Sequence, residues 1–176
     1  SGLQTVSSSE EVAVHDVELW FMAPNTEYAW QAYSMDGSGA LASGTFTTSS
    51  LPAGAQLQFT VEGQATFEHM LFTSPCMADA VVVIVSTEGE VLYYQDFADG
   101  TDPTDPLLDG VKWTEDDTLL AIKSGDVLER DLTGELLFRV SNPENYTERV
   151  HHDSSRWNGW TYALFAEGVT VGTEVY

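Results

Sequence analysis

Along most of this chain apolar residues fall at every second position, the period of a strand with one buried face. Leu57, Phe59 and Val61 alternate with polar neighbours, and beyond Gly63 and Gln64 the pattern resumes at Ala65, Phe67, His69 and Leu71, which predicts a hairpin with His69 on its core face. Residues 28–34 and 41–48 flank the glycine-bearing turn MDGSG and predict another. Residues 81–85, VVVIV, are apolar without interruption and β-branched, as in a strand buried on both faces. STEGE then turns the chain into Val91, Tyr93, Gln95 and Phe97. Leu119 to Ile122, then Leu136, Phe138 and Val140, then Trp160, Tyr162 and Leu164 supply further strands, while HHDSSRWNG between the last two reads as loop.

Val12 and Val14 are followed by Val17, Leu19 and Phe21, and the change of phase at His15 and Asp16 is what a β-bulge produces. No helical period extends beyond ten residues. Ten to twelve short strands spaced eight to twelve residues apart predict an all-β fold, a single-domain antiparallel β-sandwich of jelly-roll type. The polar, serine-rich residues 1–11 form an extended N-terminal arm, and residues 12–176 form the sandwich, with an acidic loop at 96–117.

Composition sharpens the picture in one direction. Twenty-eight acidic residues face six basic ones, a formal net charge of −22. Nothing in such a chain neutralises phosphates, which excludes nucleic acid and anionic membrane surfaces as partners. Cations are the natural counterpart, and scarce lysine with abundant Asp, Val and Thr suggests a halophilic or marine setting. The single cysteine, Cys76, forms no internal disulfide and is expected as a buried thiol. No apolar run approaches the roughly 20 residues that span a bilayer. The opening serine fits a secreted protein whose signal peptide has been removed, or a remnant of cloning, and the expected location is extracellular or on a cell surface.

Two stretches carry candidate chemistry. In residues 96–117, seven aspartates and a glutamate accompany one lysine, and Asp96, Asp99, Asp102 and Asp105 recur every third residue, followed by Asp109. Aspartate oxygens and backbone carbonyls are calcium ligands, so these five residues are the candidate site for a structural calcium ion. An extended run would hold successive carboxylates roughly 9 Å apart, so chelation requires the loop to curl, which Gly100 and Gly110 allow. In HHDSSRWNGWTY, Trp157 and Trp160 are candidate platforms for sugar rings, with Arg156, Asn158 and Asp153 as polar partners. The competing expectation places Trp160 in the core, through its alternation with Tyr162.

No nucleophile, phosphate-binding or metalloprotease motif is present, and no catalytic residue is assigned. Asn145 opens an Asn-Tyr-Thr glycosylation sequon. The expectation drawn from all of this is a non-enzymatic extracellular subunit that assembles with copies of itself into a filament, sheath or surface layer. Its arm would be lent to a neighbour's sheet edge through Leu3, Val6, Val12 and Val14, with calcium stiffening the contacts. The alternative is a secreted, calcium-stabilised carbohydrate-binding module that uses the Trp157 and Trp160 loop.

Overall fold

A computed structural model describes residues 5–7, 15–34, 36, 39–66, 68–73, 80–97, 108–141, 150–165, 170–171 and 174–175. The chain divides between Leu51 and Pro52 into two units. Antiparallel sheets with no α-helix among the described residues are the all-β class expected, and they are consistent with a β-sandwich.

In the first unit β1 (Glu27–Tyr33) and β2 (Ala40–Thr47) form a two-stranded ribbon. Its start is fixed by a small polar knot: the Thr26 amide donates to Thr48 Oγ1, which itself donates to the Ala23 carbonyl at 2.6 Å. Trp30 lies across from Gly44, where a side chain would collide with the indole. No described residue of this unit is buried. The strand expected ahead of the ribbon, with its bulge at His15 and Asp16, is not formed by residues 15–23, which are irregular.

In the second unit, β3 (His69–Thr73), β4 (Val81–Ser86) and β5 (Val91–Asp96) form one sheet in that order. β4 is buried from Val81 to Val85, as a central strand covered on both faces must be. β5 buries Val91, Tyr93 and Gln95 and exposes Tyr94 and Asp96, so its alternation marks one covered face. Phe97 follows, fully buried beneath the Arg130 guanidinium, whose carbon lies 5.3 Å from the ring centre.

Two features of this half of the sheet correct the sequence reading. Residues 57–60 keep their alternating burial but join no sheet, and Val61 is exposed; Phe59 and Val61 lie against Gly89 at the β4–β5 turn instead. β3 consequently pairs with β4 and not with the preceding segment. His69, at the head of β3, is exposed and not a core residue.

A second sheet runs β6 (Leu108–Trp113), β7 (Leu119–Lys123), β8 (Asp126–Arg130), β9 (Leu136–Val140). β7 and β8 are buried throughout, including the charged Lys123, Asp126, Glu129 and Arg130. β5 is tied to the β8–β9 turn by side chains: Gln95 Nε2 donates to the Asp131 carbonyl at 2.7 Å, and the Tyr93 hydroxyl to Leu132 at 3.0 Å. Burial pushes the Tyr93 phenol well above its ordinary range and keeps it a donor.

β10 (Val150–Trp157) and β11 (Trp160–Phe165) form a hairpin against the β7–β8 face, with Val150 and Ala163 packed on Leu120, Ile122 and Val127. A pair of two-residue strands, β12 (Thr170–Val171) and β13 (Glu174–Val175), lies beyond it. Two stretches read as loop are therefore strand: 108–113, inside the acidic segment, and 150–157.

Candidate functional site

The geometry of the tip begins with two left-handed residues. Asn158 and Gly159 have φ of 52° and 76°, the conformation a two-residue type I′ hairpin turn requires and which Asn-Gly adopts at low cost. The turn places Trp157 and Trp160 directly opposite each other across the hairpin. Both are exposed, at 67% and 68% of their surface. Two residues further from the tip, Ser155 faces Tyr162, and Leu164 continues the same face; Tyr162 and Leu164 are also exposed. The outer face of β10–β11 is thus an aromatic strip open to solvent.

The competing expectation placed Trp160 in the core, and the structure overturns that. Alternation in β11 creates two apolar faces, one made of Trp160, Tyr162 and Leu164, the other of Thr161, Ala163 and Phe165. The smaller Ala163 is what fits on the Leu120, Ile122 and Val127 cluster, so the larger face is turned outward.

The inner face of β10 is polar, and a buried network holds it. Arg156 Nη1 forms an ion pair with Glu129 Oε2, whose side chain is 4% exposed. The other Glu129 oxygen accepts from Thr118 Oγ1 at 2.7 Å, and Thr118 Oγ1 lies 2.6 Å from Thr114 Oγ1. Thr114 also accepts from the amides of Asp116 and Thr118, an arrangement that closes the β6–β7 turn. Arg156 Nε stands 3.5 Å from Asp116 Oδ2, an ion-pair distance but too long for a good hydrogen bond. Four elements, β6, β7, β8 and β10, are therefore clamped beneath the tryptophan tip.

The β6–β7 turn abuts the hairpin turn. Glu115 Oε1 accepts from the Gly159 amide at 3.3 Å, and Asp117 Oδ1 accepts from Trp113 Nε1 at 3.0 Å. Further along, Lys112 pairs with Asp153, and its hydrogen bond holds the Asp153 carboxyl below the ordinary carboxylate range. Both β6 and β10 break register near this pair, and Gly110, at φ 58°, admits the close approach; a Cβ there would lie 3.2 Å from the His152 carbonyl oxygen.

Of the five residues expected to bind sugar, Trp157, Trp160 and Asn158 share the tip. Arg156 is turned inward to Glu129, and Asp153 is engaged by Lys112. Trp113, Glu115, Asp116 and Asp117 join the site instead. Their signal in the sequence was the run WTEDDT, in which two threonines bracket three acids as they would in a tight turn.

Of the proposed calcium ligands, Asp96 ends β5 and Asp109 lies in β6, while Asp99, Asp102 and Asp105 fall outside the described residues. Among the described residues no three ligating side chains gather as a metal centre. Of the arm residues only Val6 is described, and it is 54% exposed; Leu3, Val12 and Val14, like Asn145 and Cys76, lie outside the described residues. Compared with known proteins, the sequence matches no family model and no curated protein.

Proposed function

We propose that this protein is a non-enzymatic, extracellular carbohydrate-binding module whose binding surface is the β10–β11 tip. The observation that carries the reading is the pair of exposed tryptophans held opposite each other on a rigid turn. Sugar rings present an apolar face of C–H groups and a rim of hydroxyls, and a fixed indole offers the complementary surface at little entropic cost. Tyr162 extends the strip along the hairpin, which suits a chain of sugars more than a single residue. Asn158, at the turn, supplies a side-chain amide able to bond the hydroxyl rim. The test is direct binding of soluble glycan oligomers to the intact chain, followed by tryptophan fluorescence or titration calorimetry. Absence of binding to every glycan class would overturn it.

A second reading, a subunit that assembles with copies of itself, is favoured by the first unit. A two-stranded ribbon is marginal alone in water, yet β1–β2 leaves Trp30, Tyr33 and Leu41 exposed. In this reading Leu3, Val6, Val12 and Val14 supply the strand lent to a neighbour. Sedimentation of the full chain and of a chain lacking residues 1–11 decides between outcomes. Large assemblies that require the arm are expected from self-assembly, and a monomer in both cases removes it.

Calcium belongs to both readings as a structural ion in the stretch bounded by Asp96 and Asp109, whose carboxylates suit a hard, oxygen-seeking cation. Binding to the folded state alone would stabilise it by about 2.7 kcal/mol at a free concentration a hundred times Kd. A thermal midpoint that rises with millimolar calcium, falls on chelation and ignores magnesium is the expected result. A midpoint indifferent to calcium would discard the ion.

A further inference from the structure

β11 is the open edge of its hairpin. Among the described residues β10 is its only neighbour in a sheet. In a hairpin closed by a two-residue turn the flanking pair, Trp157 and Trp160, exchanges backbone hydrogen bonds, and bonding alternates from there. Trp160 and Tyr162 therefore direct their amides and carbonyls to β10. Thr161 and Ala163 direct theirs outward, where no described residue meets them. Edges of this kind take up further strands unless lysine, proline or a bulge blunts them. β11 has no charged residue and no proline, and the register shift of the hairpin places its extra residues on β10.

The edge is also complementary to itself. Laid antiparallel on a second copy about Tyr162, it sets Trp160 opposite Leu164 and Tyr162 opposite Tyr162 on the outer face, and Thr161 opposite Ala163 on the inner. Large residues meet large ones, small meet small, and the outward groups of Thr161 and Ala163 bond each other. No carboxylate faces another, although each copy carries a net charge of −22. β9, another outer strand, lacks this fit: a register shift leaves its Leu137 without an opposite residue, and it carries the charged Arg139.

We infer that two copies of this chain join along β11, as an antiparallel pair about a twofold axis, into one sheet in the order β10, β11, β11, β10. The outer faces then become continuous. The two copies of Trp160 lie about 14 Å apart along the strand direction, four residues at ~3.4 Å each. A glycan held on one tip would continue toward the other. That consequence rests on the carbohydrate reading; the pairing itself does not.

Sedimentation velocity of the intact chain tests it, from about 1 μM to about 1 mM protein and in salt high enough to screen repulsion between the copies. An interface built on one short edge falls at or below the roughly 1,200–2,000 Å² of a stable complex, so a reversible, concentration-dependent dimer is expected. The chain lacking residues 1–11 should dimerise equally. Tyr162→Lys sets two ammonium groups opposite each other and should weaken the dimer roughly tenfold or more, while Leu137→Lys on β9 should not. Tyr162 is half exposed, so its substitution leaves the hairpin folded.

Mild oxidation reads the register. Two copies of Tyr162→Cys meet on the twofold axis with Cα atoms about 4.5 Å apart and should form a disulfide-linked dimer. Leu164→Cys faces Trp160 and should cross-link no more than the unsubstituted chain, which keeps Cys76. A monomer at every concentration would overturn the pairing and leave the carbohydrate reading to its own binding test. A dimer lost with residues 1–11, one that survives Tyr162→Lys, or one that Leu137→Lys abolishes would place the contact elsewhere and overturn it as well. Equal cross-linking of the two cysteine variants would do the same.

Discussion

Replacing Trp157 by alanine should lower affinity for an oligosaccharide by about 1.5–3 kcal/mol, roughly ten- to a hundredfold, the range in which central aromatic anchors fall. Trp160→Ala should cost a comparable amount, and the two losses should be less than additive, because the residues face each other and serve one sugar. Stability gives the control. With two thirds of each indole already in water, truncation removes little buried surface, and exposed positions of this kind change folding free energy by about 0.5 kcal/mol or less. Unchanged melting with lost binding is thus the signature of a platform. The reverse, lower melting with unchanged glycan affinity, would mean that the indoles brace the hairpin and bind nothing. Trp113→Phe offers an intermediate: it keeps a ring but removes the hydrogen bond to Asp117, and should loosen the β6–β7 turn without removing the sugar surface.

The sequence revealed strands whose inner face is apolar. β4, β5 and β7 carry their burial in a run or an alternation of apolar residues, β9 and β11 show the alternation although their large residues are mostly exposed, and the Asn158 and Gly159 turn announces itself by residue type. β10 was invisible for the complementary reason. Beyond Val150 its inward residues are Ser154 and Arg156, so most of the face that packs is polar and HHDSSRWN shows no alternation to detect. β6 was hidden by the aspartates around it, though Leu108 is buried and pairs with Lys123. Alternation also says nothing of which side is covered. The choice of Ala163 over Trp160 as the inward residue depends on the shape of the Leu120, Ile122 and Val127 surface, which comes from strands some forty residues earlier. The same limit applied to residues 57–60, where a genuine alternation of burial occurs outside any sheet, with Phe59 against the Gly89 turn. The site was half legible: the tryptophans by type, the acidic β6–β7 turn only once it had been brought against the hairpin turn.

Arg156→Met is expected to destabilise the protein far more than any substitution at the tip, by about 3–5 kcal/mol, the usual cost of stripping one partner from a buried ion pair. Glu129 is almost wholly enclosed and would keep one hydrogen bond, from Thr118, while its second oxygen lost the guanidinium. The Arg156 contact with Asp116 adds little, since that carboxylate is largely in water and stands 3.5 Å away. What distinguishes this account from a simple packing defect is the double variant. Adding Glu129→Leu removes the abandoned charge, and Thr118 keeps Thr114 as a hydrogen-bond partner 2.6 Å away, so no new orphan is created. Most of the lost stability should return, because an apolar pair in place of a buried ion pair is often neutral or better. If denaturant unfolding shows the double variant as weak as the single one, the loss lies in the shape of the arginine stem against the sheet and not in an uncompensated carboxylate. The glycan affinity of the double variant then reports on the tip itself. Restored stability with weakened binding would assign Arg156 and Glu129 the role of holding Trp157 at its angle, since neither residue touches the outer face of the hairpin.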